Sequence, residues 1–219
     1  MDHQQAELNW RDGCVPVSSR FNDPYYALEG GLDEARHVFV AGNGLPARAG
    51  PGFRIAELGF GSGLNLLATI AALGDCPGPI HYTSFEAFPM AASDMARALA
   101  GFPALDATPL LAAMKAGHTE FRIGPLQVTL VLGDARATLP RWKGQADAWY
   151  LDGFAPARNP ELWSEAMMTQ VARHTAPGGT FATYTAAGTV RRALADAGFA
   201  VTRLPGYGRK RHMSIGRLT

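Results

Sequence analysis

The chain has 219 residues, enough for one large domain or two small ones, and usual domain sizes favour a single core. Hydrophobic residues make up 47% and charged residues 18%, with a formal net charge of +1, which excludes a disordered or highly charged chain. No apolar run reaches the roughly 20 residues of a membrane span, and residues 1–10 are too polar for a secretory signal. The composition therefore predicts a cytoplasmic protein that does not span a membrane.

Cysteine and histidine usage argues against disulfides and metals. Cys14 and Cys76 are too few for a disulfide framework and share no C-x-x-C spacing. The six histidines are scattered, with no two at the spacing that places ligands on one helix face. We therefore expect a reducing compartment and no metal site.

Residues 1–50 are rich in turn-forming and aromatic residues, which predicts an N-terminal extension packed on the core of a single domain over residues 51–219. The predicted elements of that domain alternate between strand and helix. In chain order they are strand Phe53–Leu58, helix Leu64–Leu73, strand His81–Phe85, helix Met90–Ala100, strand Gln127–Leu132, helix Ala135–Trp142, strand Ala146–Leu151, helix Glu161–His174, strand Thr180–Tyr184, helix Thr189–Ala197 and strands Ala200–Leu204 and Met213–Leu218.

Strands that alternate with helices of about ten residues predict an α/β fold with a mostly parallel, doubly wound sheet. The segment Pro177-Gly178-Gly179 is expected to end the helix before the strand at Thr180. The last two predicted strands are joined by a short Pro- and Gly-containing link, which favours an antiparallel hairpin at one edge.

The first strand meets its helix in the segment Glu57–Asn65, E-L-G-F-G-S-G-L-N, where an open α/β sheet binds its ligand. Glycines let the backbone pass close to a ligand. A dinucleotide fingerprint requires glycine at position 64, which is Leu64 here. The spacing instead resembles the first motif of Rossmann-like, class I S-adenosylmethionine-dependent methyltransferases.

Two more acids follow predicted strands at the same edge. Glu86 closes the second strand, 23 residues after Gly63, where a carboxylate can accept hydrogen bonds from both ribose hydroxyls. Asp134 follows the third strand, where it can accept a hydrogen bond from an adenine amino group. Three strands ending in acids, in order, predict a nucleotide-like cofactor.

The fourth strand ends at Asp152, within Leu151–Pro160, L-D-G-F-A-P-A-R-N-P, which contains Phe154, Pro156 and Pro160. An isolated Asp-Gly usually caps a loop, but Phe154 and the prolines stiffen this one, and the segment resembles the acid-aromatic-proline motif of amine methyltransferases. A carboxylate there can hold the N–H of an amine and favour loss of its proton, while positioning supplies most of the rate.

These motifs together resemble the methyltransferase part of the MnmC/MnmD family over nearly the whole chain. The resemblance also rests on further segments: Pro16–Tyr25, Gly31–Glu34, Val38-Phe39, Tyr184–Arg192 and Gly206–Arg211. It implies methylation, from S-adenosylmethionine, of the amine of 5-aminomethyl-(2-thio)uridine at the tRNA wobble position. Many members are fused to an FAD-dependent oxidoreductase; the chain has no G-x-G-x-x-G, so we expect that half to be absent and a fused or separate oxidoreductase to be a partner.

The site residues expected from the motifs and the resemblance form three sets. The cofactor set is Glu57, Gly59, Gly61, Gly63, Asn65, Glu86, Asp134 and Asp152, and the catalytic set is Asp152, Phe154 and Pro156. The set expected to bind the tRNA anticodon loop is Tyr25, Arg209, Lys210 and Arg211.

Charge and aromatic residues support RNA binding. Residues 189–219 hold seven Lys or Arg against one Asp, a net charge of +6, whereas the remainder of the chain carries −5. Phosphates around a target base would bind such a patch. Phe154, or else Tyr25, is a candidate surface for stacking of the splayed base, although both residues could equally be packing aromatics.

Two alternatives stay open at this point. A small-molecule amine methyltransferase would share the fold, but a small metabolite needs no basic rim. A non-catalytic RNA-binding module would keep only the cofactor fold, and the presence of Asp152 with Phe154 and Pro156 argues against it.

Overall fold

The computed structural model describes residues 4–27 and 29–219. Its N-terminal part contains more regular structure than the turn-rich composition predicts. Strands β1 (Leu8–Arg11), β2 (Val15–Ser18) and β3 (Asp23–Pro24) form a small antiparallel sheet. Helix α1 (Gly31–Ala35) continues into a π-helical segment, Arg36–Val40, and a 3₁₀ turn, Ala41–Asn43.

The rest of the chain builds an eight-stranded sheet with helices on both faces. Its strands are β4 (Arg54–Leu58), β5 (Ile80–Glu86), β6 (Glu120–Ile123), β7 (Leu126–Leu132), β8 (Ala146–Leu151), β9 (Thr175–Thr183), β10 (Phe199–Pro205) and β11 (His212–Leu218). Its helices are α2 (Leu64–Leu73), α3 (Ala92–Leu99), α4 (Thr108–Lys115), α5 (Ala135–Thr138), α6 (Glu165–Arg173) and α7 (Gly188–Asp196).

The strand order is β10-β11-β9-β8-β4-β5-β7-β6. The five central strands, β9, β8, β4, β5 and β7, are mutually parallel, and β11 and β10 add an antiparallel hairpin at one edge. The predicted α/β fold and edge hairpin are therefore confirmed. The chain leaves β4 in one direction to β5 and β7 and returns to its other side at β8, which makes the β4/β8 boundary the topological switch point.

Alternating apolar residues along each central strand face two separate cores, one on each side of the sheet. Ile55 of β4 and Tyr82 of β5 point to the side covered by α2, α3 and α4. Ala56 of β4 and Trp149 of β8 point to the side covered by α5, α6 and α7. Burial on both faces explains why these strands have apolar runs rather than alternating polar residues.

Several predicted boundaries are wrong. The segment Pro177-Gly178-Gly179 lies inside β9, which starts at Thr175, so it does not end α6; a register shift in the β8/β9 pairing accommodates it. The predicted helix Glu161–His174 is split into a 3₁₀ turn, Pro160–Trp163, and α6, because the Ser164 hydroxyl accepts a hydrogen bond from the Met167 N–H and starts a new helix. Helix α4 and edge strand β6 were not predicted.

The N-terminal segment is tied to the sheet by a buried asparagine. The Asn43 side-chain amide donates to the backbone carbonyls of Phe39, at 3.0 Å, and Trp149, at 3.1 Å. Its Oδ1 accepts a 2.7 Å hydrogen bond from the Thr180 hydroxyl. Asn43 thus joins the end of the N-terminal helical segment to β8 and β9, which fixes the position of α1 above the sheet.

Across residues 4–27 and 29–219, none of the helices combines the length and the apolar character that crossing a membrane requires.

Candidate active site

A cleft of about 890 Å³ lies over the carboxyl ends of the parallel strands at the switch point. The N-terminal sheet and α1 form its opposite wall. Its lining includes most of the residues predicted from the motifs, namely Tyr25, Gly59, Gly61, Asn65, Glu86, Asp134, Asp152, Phe154 and Lys210. The structure therefore brings together side chains that are up to 185 positions apart in the sequence.

The glycine turn after β4 requires glycine at its three repeated positions. Gly59, Gly61 and Gly63 have φ angles of +86°, +54° and +78°, in the left-handed region that side chains disfavour. A Cβ on Gly63 would lie 2.6 Å from Leu110 Cδ2, and one on Gly61 would lie 3.1 Å from Tyr25 Cδ1, across the cleft. The turn is therefore closely packed on its core side, at Gly63, and on its cleft side Gly61 lies against the Tyr25 ring.

The Asn65 amide, in the first turn of α2, joins two carboxyl groups. Its Nδ2 donates to Glu57 Oε1 at 2.9 Å and to Asp152 Oδ2 at 2.8 Å. Glu57 is buried at the end of β4, behind the cleft, where its Oε2 also accepts a 2.7 Å hydrogen bond from the Ser84 hydroxyl. One amide thus couples the glycine turn to the loop after β8.

The two bridged carboxyl groups have different proton affinities. Burial raises the pKa of Glu57 to about 8, against the opposing effect of the hydrogen bonds from Asn65 and Ser84. Burial also raises the pKa of Asp152, to about 6, opposed by hydrogen bonds from the Gly153 N–H and from Asn65. Asp152 is therefore the more acidic of the two carboxyl groups, and the negative charge of the pair lies mainly on Asp152, next to the cleft.

Glu86 and Asp134 lie at the ends of β5 and β7 but differ in their partners. The Glu86 carboxylate accepts hydrogen bonds from the Gly61 and Phe88 N–H groups, at 2.9 and 2.8 Å, and burial raises its pKa. Asp134 caps α5, and both of its oxygens accept hydrogen bonds from Arg136, which lowers its pKa. Glu86 is thus fixed against the glycine turn, whereas Asp134 is paired with a cation that also lines the cleft.

The loop after Asp152 is held by the N-terminal segment. The Phe154 ring stacks on Phe21, with centroids 4.6 Å apart, and forms a T-shaped pair with Tyr25, with centroids 5.0 Å apart. The Ala155 N–H donates to Asp23 Oδ2 at 2.8 Å. Pro156 follows in the same loop, outside the set of residues that line the cleft. One face of Phe154 is therefore covered by protein.

The three basic residues of the predicted tRNA-binding set occupy two different environments. Arg209 and Arg211 are exposed and do not line the cleft. Lys210 does line it, and its Nζ lies 2.8 Å from Glu34 Oε1. The sequence predicted one basic patch of three residues. In the structure only Arg209 and Arg211 are exposed outside the cleft, because the Lys210 ammonium is paired with Glu34 inside it.

Several cleft residues received no individual role from the sequence. Phe21, Glu34, Arg158 and Tyr184 all line the cleft. All four fall within segments that resemble the family, and nothing local in the sequence separates them from ordinary packing or surface residues. Within the part of the chain that the structure describes, no group of three or more His, Cys, Asp or Glu side chains is arranged to hold a metal ion.

A family described as S-adenosyl-L-methionine-dependent methyltransferase matches residues 104–219, just over half of the chain. The chain belongs to this methyltransferase family. Its α/β architecture agrees, because a crystal structure of MnmC2 from Aquifex aeolicus superimposes with a TM-score of 0.76 over 100% of this chain and 72% of that one, at 23% sequence identity.

Two bacterial relatives match nearly the whole methyltransferase chain. Both are named tRNA 5-methylaminomethyl-2-thiouridine biosynthesis bifunctional protein MnmC. The protein from Chromobacterium violaceum is 43% identical over 99% of this chain, and that from Pseudomonas paraeruginosa is 44% identical over 98%. The chain spans about a third, 35%, of the length of each relative. The resemblance to the MnmC/MnmD methyltransferase part is confirmed.

The glycine turn and Glu86 of this methyltransferase fit S-adenosylmethionine. Gly59 and Gly61 line the cleft without a side chain, so a ligand there can approach the main chain closely. Each Glu86 oxygen accepts one backbone hydrogen bond and keeps a lone pair that can accept from a ribose hydroxyl. The role of Asp134 toward an adenine amino group stays a prediction.

We expect Gly61→Val to abolish binding of S-adenosylmethionine, because the added side chain would project toward Tyr25 into the cleft. Gly52→Val is a matched control: Gly52 also has a positive φ, +82°, but its Cβ would enter open space outside the cleft. Each substitution costs about 1–3 kcal/mol of stability through backbone strain. Calorimetry should show loss of affinity for S-adenosylmethionine only for Gly61→Val. If the affinity of Gly61→Val stayed within about threefold of wild type, the turn would not be part of the cofactor site.

Proposed function

We propose that the enzyme transfers a methyl group from S-adenosylmethionine to the amine of 5-aminomethyl-(2-thio)uridine at the tRNA wobble position. The observation that carries this proposal is the Asp152 carboxylate, held at the cleft by Asn65 in direct continuity with the glycine turn. The similarity to the MnmC proteins supports tRNA as the substrate class. By the same similarity, an FAD-dependent oxidoreductase, fused or separate, is the proposed source of the aminomethyl group.

The residues that would hold the cofactor are Gly59, Gly61 and Gly63 through their backbone, with Asn65, Glu86 and Asp134 around them and Glu57 behind the turn. The sulfonium of S-adenosylmethionine, when bound, supplies an electrophilic methyl group. The protein's tasks are to orient the acceptor, exclude water and accept a proton from the acceptor amine.

Asp152 is suited to the proton transfer. Its Oδ1 accepts from the Gly153 N–H and its Oδ2 from Asn65, so each oxygen keeps a lone pair to accept an N–H of the amine. Its pKa of about 6 leaves it ionised at neutral pH yet more basic than an ordinary aspartate. An amine held there presents its lone pair away from the carboxylate.

Aromatic residues beside Asp152 supply a surface for the base. Phe154 and Tyr25 line the cleft together, and an anticodon base is single-stranded, so it can be splayed out to reach them. Because Phe21 covers one face of Phe154, a stacked base would have to use the other face or the ring of Tyr25. Pro156 would act by stiffening the loop rather than by contact.

The proposed function is tested by incubating the enzyme and labelled S-adenosylmethionine with tRNA that carries 5-aminomethyluridine at the wobble position, and separately with spermidine. We expect label in the wobble nucleoside and none in spermidine, as read by nucleoside mass spectrometry. tRNA with an unmodified wobble uridine is the matched negative control. Methylation of spermidine without methylation of tRNA would instead support the small-molecule alternative.

Asp152→Asn provides the catalytic control for that assay. Because a positioned general base typically contributes about 10²–10⁴ in rate, the single-turnover rate should fall by that factor. Binding of S-adenosylmethionine should change little, since the proposed role of Asp152 is toward the acceptor. A variant that keeps most of its rate would show that the carboxylate is structural.

Arg209 and Arg211 are proposed to contact tRNA phosphates, because both are exposed beside the cleft residue Lys210. Replacing both by Ala should raise the KM for tRNA and flatten its dependence on salt by about one to two units of log–log slope. The control replaces Lys115 and Arg122, exposed residues near the opposite edge of the sheet, by Ala. A salt slope that is equal in the Arg209/Arg211 double variant and in wild type would refute the assignment.

A further inference from the structure

Lys210 lies in an environment that is built for an alkylammonium ion. Its Nζ is 2.8 Å from Glu34 Oε1 and 4.0 Å from the centroid of the Tyr184 ring. A carboxylate on one side and an aromatic face on the other is a general way in which proteins recognise a primary ammonium. The cation in this case is the protein's own side chain.

The two partners of Lys210 are held by packing and hydrogen bonds, whereas Lys210 itself is more exposed. The Glu34 side chain is only 10% exposed, on the short helix α1 whose position depends on Asn43. The Tyr184 hydroxyl donates a 2.7 Å hydrogen bond to the Gly153 carbonyl, and Trp163 packs at right angles to the Tyr184 ring. Lys210 is 41% exposed on a flexible stem, in the link between β10 and β11.

Glu34 and Tyr184, the two partners of Lys210, lie near Asp152. Tyr184 contacts Gly153, the residue after Asp152, and all of these side chains line the same cleft. The charges also interact: the Lys210 ammonium lowers the pKa of Asp152 and the Glu34 carboxylate raises it. An ammonium in the position of Lys210 Nζ is therefore close enough to influence the Asp152 carboxylate.

We propose that Glu34 and the face of Tyr184 form the subsite that receives the acceptor's primary ammonium, and that Lys210 fills this subsite until the acceptor displaces it. The inference rests on the proposed function for the identity of the acceptor. It adds Glu34 and Tyr184 as the residues that select a cationic amine. Released from Glu34, Lys210 joins its exposed neighbours Arg209 and Arg211, where tRNA phosphates can pair with it.

Charge balance explains the selectivity. Exchange of one ammonium for another keeps Glu34 paired while the acceptor binds. The bound ammonium then gives one proton to Asp152, its nitrogen forms a bond to the methyl group as the C–S bond breaks, and the product nitrogen again carries a positive charge beside Glu34. A neutral acceptor that displaced Lys210 would leave the Glu34 carboxylate buried and unpaired, which is strongly unfavourable. The subsite therefore favours an aminomethyl group over an uncharged group of the same size.

The first experiment uses ethylammonium as the probe and does not depend on tRNA. In Lys210→Met, which removes the competing ammonium, ethylammonium should shift the NMR signal of the Trp163 indole N–H, whereas ethanol should not. Sodium chloride is exchanged for the probe so that ionic strength stays constant. The double variant Lys210→Met/Glu34→Gln should lose the response, and wild type should respond about tenfold more weakly than Lys210→Met.

The second experiment measures tRNA methylation by Glu34→Gln, which keeps the size of the side chain and removes its charge. Loss of a charge-assisted contact should raise the KM for tRNA by about 10- to 100-fold, with the affinity for S-adenosylmethionine unchanged. Asp33→Asn is the matched control, since it removes a charge at the adjacent, exposed position, where Asp33 pairs with Arg36. Thermal unfolding of each variant verifies that it is folded.

In the first experiment, the inference is overturned by the absence of an ethylammonium response in folded Lys210→Met, or by an equal response to ethanol. A Glu34→Gln variant with an unchanged KM would also contradict it. Failure of the proposed function would look different. The wild-type enzyme would then not methylate tRNA, while the Lys210→Met variant would still respond to ethylammonium.

Discussion

The amide of Asn65 is the interaction on which the site depends. Glu57 and Asp152 end neighbouring strands, and two carboxyl groups this close and this buried disfavour each other's ionisation. A single NH₂ group that donates to both lowers the pKa of each and so offsets part of this cost. Without it, the pairing of β4 with β8 would still hold the two loops next to each other, but the Asp152 carboxylate would lose the side-chain hydrogen bond that orients it.

The strand-end acids could be predicted from the sequence, because parallel strands bring their carboxyl ends to one edge. Glu57, Glu86, Asp134 and Asp152 each follow or end an apolar run, so their clustering is a consequence of topology. The edge hairpin was predictable for a similar reason, since its link is too short for a parallel crossover. Among the elements that the local pattern misjudged is β9, where a Pro-Gly-Gly segment is accommodated by a register shift.

Glu34, Phe21 and Tyr184 could not be assigned roles in this way. The placement of Glu34 depends on the fold of the first 50 residues back over the sheet, through contacts such as Asn43 with Trp149 and Asp23 with Ala155. These are hydrogen bonds between residues about 100 or more positions apart, and no periodicity encodes them. The N-terminal segment is thus part of the site, because it supplies one wall of the cleft and the partner of Lys210.

The central claim is that Asp152, held by Asn65, acts on the acceptor amine. The most direct test is the pH dependence of the single-turnover methylation rate at saturating S-adenosylmethionine, in wild type and in Asn65→Ala. The wild-type rate should rise with pH through a midpoint near 6 as the Asp152 carboxylate ionises. Because the Asn65 hydrogen bond lowers the pKa of Asp152, its loss should move that midpoint to higher pH. A wild-type rate that is flat across this range, or a midpoint that Asn65→Ala leaves in place, would contradict the account.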